Sequence, residues 1–112
     1  MTVRELVDGL GLEILTGEVN LGERIEAGYV SDLLSDVIAN APENSAWITV
    51  QRHINVLGVA KLRNIAAIIT PRSLKVESEV IERAKAEGVA LLRTDNTAFE
   101  ITGRLYGFLK GA

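Results

Sequence analysis

Residues 46–94 read "AWITVQRHINVLGVAKLRNIAAIITPRSLKVESEVIERAKAEGVALLRT" and state one theme three times. The runs "AWITV", "IAAIIT" and "VALLRT" are short, apolar and rich in β-branched residues, and each is followed by a polar turn and a helical segment. None alternates with polar residues. Such strands need apolar cover on both faces, which a parallel sheet between helix layers supplies. The helix expected at 53–63 carries Ile54, Val56, Leu57, Gly58, Val59, Ala60 and Leu62, small or apolar all round, so little of it is expected to face water. The next, Val76 to Glu87, is amphipathic: Val76, Val80 and Ala84 form its inner stripe, Glu79 and Arg83 an outward i, i+4 pair, and Gly88 closes it.

Working outward, "TVRELVDGLGLEILTG" predicts a helix and then a strand. Thr2 and Glu5 have capping-box spacing, Val3, Leu6, Val7 and Leu10 recur on one face, and Gly9 and Gly11 offer stops before "LEIL" at 12–15. A second extended piece is expected near "RIEAGYV". "SDLLSDVIANAP" predicts a helix capped by Ser31 or Asp32, burying Leu33, Leu34, Val37 and Ile38, and stopped by Pro42. The last helix, 97–109, opens on another capping-box spacing, Thr97 to Glu100. It buries Ala98, Ile101, Leu105 and Phe108, while a second stripe of Phe99, Gly103 and Tyr106 has room to meet another helix. The order is helix, two strands, then α-β-α-β-α-β-α. Short crossovers of fixed hand make this an α/β domain of three layers, α/β/α, with a mostly parallel sheet, spanning 1–112 as a single unit.

Composition narrows the chemistry. With 112 residues, 47% apolar and 24% charged, the chain is long enough to bury a core without staples. Twelve Lys and Arg against 15 Asp and Glu give a net charge of −3, whereas nucleic-acid binders are usually basic, so no nucleic-acid partner is expected. The absence of cysteine removes thiolate catalysis, iron–sulfur clusters and sulfur-ligated zinc, and with one histidine neither a metal site nor a cofactor is expected. Arg4, Glu5, Asp8, Glu13 and Glu18 interrupt the first twenty residues, and no apolar run approaches membrane-spanning length. The expectation is a cytoplasmic protein with no membrane partner.

Open parallel sheets bind small molecules beyond the carboxyl ends of their strands, where helix starts also favour anions. The turns there read "VQRHIN", "TPRS" and "RTDNT", each with an arginine. Arg52, His53, Thr70, Arg72, Ser73, Arg93, Thr94 and Asp95 are therefore the candidate ligand-binding residues, suited to a carboxylate or phosphate. The same residue types are also ordinary at exposed βα turns. His53 has no sequence-adjacent carboxylate or nucleophile that would make it a general base, so no catalytic residue is assigned and no enzyme activity is expected. Neither G-x-x-x-x-G-K-[ST] nor G-x-G-x-x-G occurs.

The succession of strand, polar turn, small-residue helix, "AAIIT", helix and "GVALLRTDNTAFE" resembles the DRTGG domain over about residues 1–109. That family is a regulatory module found beside CBS domains and inside some phosphotransacetylases, related to the N-terminal domain of HPr serine kinase. The resemblance implies the fold type of the MurF and HPr kinase N-terminal domains, and a tendency to pair. Where the family's naming residues read Gly-Asp-Arg, this chain has Gln51, Arg52 and His53; where they read Thr-Gly-Gly, it has Thr70, Pro71 and Arg72. Only Thr70 is unchanged. The substitutions remove backbone freedom and add bulk and charge.

Pairing also suits the helix at 53–63, whose apolar circumference one sheet face cannot cover. Ile54, Leu57, Gly58 and Lys61 are the expected interface of a homodimer. The resulting expectation is a noncatalytic regulatory domain, homodimeric, sensing a small anion. Two alternatives stand beside it: a phosphotransfer or HPr-kinase-related accessory protein using His53 with Arg52 and Arg72, and a scaffold that only binds a protein partner.

Overall fold

A computed structural model describes residues 1–111. The elements run in the expected order: α1 (Val3–Leu10), β1 (Glu13–Ile14), β2 (Ala27–Val30), α2 (Leu34–Asn40), β3 (Ser45–Ile48), α3 (Asn55–Leu62), β4 (Ala67–Thr70), α4 (Ser78–Glu87), β5 (Ala90–Arg93) and α5 (Ala98–Leu109). The five strands lie in the order β1-β5-β4-β3-β2. All neighbours are parallel except β1, which runs antiparallel to β5. The expected α/β/α architecture is the one observed.

Strand pleating sorts the core into two halves. Trp47, Ile68 and Leu91 form one row across β3, β4 and β5 and pack with Val37 of α2, Val56 and Leu57 of α3, and Val80 and Ala84 of α4. The alternate residues, Ala46 with Ala67 and Ala90, then Ile48 with Ile69 and Leu92, face α1 and α5. A row of three alanines lets those two helices lie close to the sheet, and Ile101 and Leu105 of α5 fill the remaining space. β3 and β4 are buried along their whole length, as their unbroken apolar sequence requires.

The order β2-β3-β4-β5 advances one strand at a time, so the right-handed rule puts α2, α3 and α4 on one face. β5 leads instead into α5 on the other. The connections after β4 and β5 therefore lead to opposite faces, while the strand ends themselves stay paired through Thr70 and Arg93.

Both capping boxes form: Thr2 with Glu5 and Thr97 with Glu100. Gly11 ends α1 at φ 65°. Gly9 lies inside α1, pressed against the Phe108 ring, where a Cβ would come within 2.3 Å of Cε1.

Three local expectations are corrected. First, α2 has no side-chain cap, and of its proposed inner residues only Val37 is fully buried; Leu33 is 64% exposed and Ile38 40%. Asp32 is drawn away by the end of β3, where its Oδ1 accepts from Thr49 Oγ1 at 2.8 Å and from the Val50 amide at 2.9 Å. Second, Arg83 pairs with Glu87, at 2.6 Å, rather than with Glu79. Third, α3 is not apolar towards solvent on every side. Asn55, Gly58, Lys61 and Leu62 are exposed, and Leu57 is only 1% exposed because its own chain covers it.

Candidate functional site

The turns after β3, β4 and β5 lie side by side at one edge of the sheet, because those three strands are parallel neighbours. Two of the turns are bonded to each other. The Thr94 amide donates to the Thr70 carbonyl at 3.0 Å, the Ser73 amide to the Thr94 carbonyl at 2.8 Å, and the Arg72 amide to the Asn96 carbonyl at 2.8 Å. The Ser73 hydroxyl adds a bond to Asp95. Thr70 and Thr94 are buried at the base of this unit, while Arg72, Ser73 and Asp95 stand at its surface.

Arg72 and Ser73 both adopt left-handed backbone, φ 57° and 51°. This conformation costs a residue with a Cβ about 1–2 kcal/mol. Neither position carries the glycine that would relieve it. The hydrogen bonds to the β5 turn hold the strained pair in place, and strain of this kind gathers at functional turns. The Arg72 guanidinium has no hydrogen bond or ion pair among the described residues.

The other two arginines are engaged differently. Arg93 makes a forked pair with Glu13 of β1, at 2.9 and 3.0 Å, and donates to the Leu74 carbonyl at 3.3 Å. Its Glu13 hydrogen bonds hold its pKa above the ordinary arginine value. The expected convergence of three open arginines is therefore corrected: Arg93 already has its anion, supplied by a neighbouring strand. Arg52 donates from Nη1 to the Lys75 carbonyl at 2.7 Å and from Nε to the Val50 carbonyl at 3.1 Å. Among the described residues its charge meets carbonyl dipoles and no carboxylate. Arg52 and Arg93 thus grip adjacent carbonyls of the loop that carries Arg72.

His53 is exposed at the start of α3, where its Nδ1 accepts the Asn55 amide at 3.2 Å. Among the described residues no carboxylate or hydroxyl hydrogen-bonds to its ring. It acts as a local cap in a turn whose N-cap residue, Ile54, has no polar side chain.

On the far side of the β5 turn lies a polar cleft of about 360 Å³ lined by Glu13, Arg93, Thr94, Asp95, Asn96 and Arg104. Its two arginines are balanced by two carboxylates, and Arg104 is already bound to Asn96 Oδ1 and the Leu10 carbonyl. The cationic part of the rim is therefore the Arg52–Arg72 side. Asp32, read from the sequence only as a cap for α2, orders the β3 turn through Thr49, 17 residues on, and Arg104 reaches the Leu10 carbonyl across 94 residues, links that neither one's neighbours signal.

The fold is shared with part of the regulatory region of a pyrophosphatase from Clostridium perfringens, solved as its CBS and DRTGG domains in complex with an activator, diadenosine tetraphosphate. The TM-score is 0.69 over 90% of this chain, at 13% identity. This chain covers 44% of that one, less than half its length. No family model matches the sequence, and no curated protein sequence matches it. Among the described residues no helix is long and apolar enough to cross a membrane.

Proposed function

We propose that this chain is a noncatalytic regulatory domain of DRTGG type, working as a homodimer, that senses a small anion at the turns after β3 and β4. The observation that carries the reading is Arg72. Among the described residues its guanidinium stands without a partner, on a strained turn whose amides are committed to the neighbouring loop. Arg52, one strand away, adds a second positive charge that no carboxylate cancels. An arginine on a pinned backbone, in the loop whose Lys75 carbonyl Arg52 holds, suits a phosphate or carboxylate, which accept forked hydrogen bonds. Likeness of fold to a regulatory region that binds a polyphosphate nucleotide supports this ligand class.

Binding of diadenosine tetraphosphate and of inorganic phosphate, measured by calorimetry at low salt, tests the reading. Saturable binding of either, weakened at least tenfold by Arg72→Ala and by Arg52→Ala, is the expected result. Equal affinity in the variants, or no binding of either probe, would overturn it.

A further inference from the structure

Helix α5 presents an outer face that the described residues leave largely uncovered, the Lys110 ammonium over the Tyr106 ring, 5.3 Å from its centroid, being one contact there. Phe99 is 89% exposed and Tyr106 65%, and between and beside them stand Gly103 and Gly107. Glycine is the poorest helix former after proline, so two in one helix need a reason. Neither has a positive φ, and a Cβ on either would meet no atom within 4 Å. Gly9 and Gly28 differ, since side chains of this chain occupy the space beside them. The room at Gly103 opens outward, into a groove along α5 whose wall also carries Glu100 and Arg104, and Gly107 follows one turn further along the helix. The apolar surface continues past Tyr106 to Val30 on the free edge of β2.

We infer that this face is where a second copy of the chain docks, α5 against α5, antiparallel about a two-fold axis at Gly103. The inference rests on the homodimer reading above and moves its contact from α3 to α5. The groove carries one acid and one base, so a strongly charged partner gains nothing there, whereas a second α5 supplies the complement. A two-fold axis perpendicular to both helices brings like flanks together. Glu100 then lies within about two residues' rise, 3 Å, of the partner helix's position equivalent to 104, where the Arg104 guanidinium has donors beyond those given to Asn96 and Leu10. On the opposite flank Phe99 lies about one residue's rise, 1.5 Å, from the position equivalent to Tyr106, giving two aromatic pairs. Gly103 at the crossing lets the axes approach to about 8 Å, the near end of helix packing, and Gly107 leaves space opposite Phe99. On α3, by contrast, Leu57 is spent on its own core.

The chain has no cysteine, so introduced thiols report the contact directly while Gly103 stays in place. Phe99→Cys combined with Tyr106→Cys puts a thiol of each copy on the shared flank and should convert almost wholly to a disulfide-linked dimer under mild oxidation, while Gly58→Cys on α3 should stay unlinked. Phe99→Glu, shown to be folded by circular dichroism, should weaken the dimer at least tenfold in sedimentation; Tyr106→Glu gives a second measure should that variant unfold. If the unmodified protein is a dimer but Gly58→Cys links and Phe99→Cys with Tyr106→Cys does not, pairing stands and α5 is excluded. A dimer resistant to both glutamates also excludes α5. A monomer at tens of micromolar removes the pairing reading itself, and this inference with it.

Discussion

The amide of Ser73 donates to the carbonyl of Thr94 at 2.8 Å, joining turns that start 24 residues apart, at Thr70 and Thr94, into one pinned unit. That bond holds Arg72 beside it in left-handed backbone. Arg72→Gly removes the penalty on a Cβ, about 1–2 kcal/mol, and adds unfolded-state freedom worth about 0.5–1 kcal/mol. Urea unfolding should show the variant unchanged or more stable by up to about 1.5 kcal/mol, with anion binding lost. A clear loss of stability would mean that the Arg72 side chain supports the fold.

Arg93 ties β1 to β5 through Glu13 and steadies the β4 turn through the Leu74 carbonyl. Its side chain is largely covered. Arg93→Ala should destabilise the fold by about 1–2 kcal/mol, above the usual surface pair because the contact is forked and shared. Arg93→Lys should recover only part of this, since an ammonium cannot reproduce the fork. Full recovery in denaturant melts would show that charge alone matters.

Gly9 lies inside a helix, where alanine would ordinarily be favoured by about 1 kcal/mol. Here the added Cβ would come 2.3 Å from the Phe108 ring, so Gly9→Ala should destabilise by about 1–3 kcal/mol through overpacking. Trimming the obstacle in Gly9→Ala with Phe108→Leu should cost less than the separate effects summed. Strict additivity in the cycle would place the strain elsewhere.

Acid should loosen the first and last helices. Glu5 has its pKa lowered first by the Thr2 amide and then by the Thr2 hydroxyl, and Glu100 likewise by Thr97. A carboxyl with a folded pKa below its unfolded one adds stability above the unfolded value, about 4.3, which is lost as pH falls through the lowered folded value. Unfolding midpoints should therefore drop between pH 5 and acid values below about 4. The drop should shrink in Glu5→Gln with Glu100→Gln, and an unaltered pH profile in that variant would assign acid sensitivity to other groups.

Much of the fold is legible because its cause is local or periodic. The runs around Trp47, Ile68 and Leu91 have no polar alternation, and strands of that kind need helices on both sides. Thr2 with Glu5 and Thr97 with Glu100 are read correctly because a capping box is complete within four residues. Asp32 misleads for the opposite reason. As a good cap beside an apolar run it points to α2, yet Thr49 and Val50, 17 and 18 residues on, offer it better-placed donors.

Sequence alone determined which segments become strands and helices, that the sheet is mostly parallel, and that the turns carrying Arg52, Arg72 and Arg93 share one edge, since each follows from residue type and spacing along the chain. Only tertiary structure decided which of those arginines is free. Glu13 reaches Arg93 because β1 folds back antiparallel on β5, while among the described residues no carboxylate is brought to Arg72. Charge pairing depends on distance in space, and a contact between residues 80 positions apart leaves no mark in either one's neighbours.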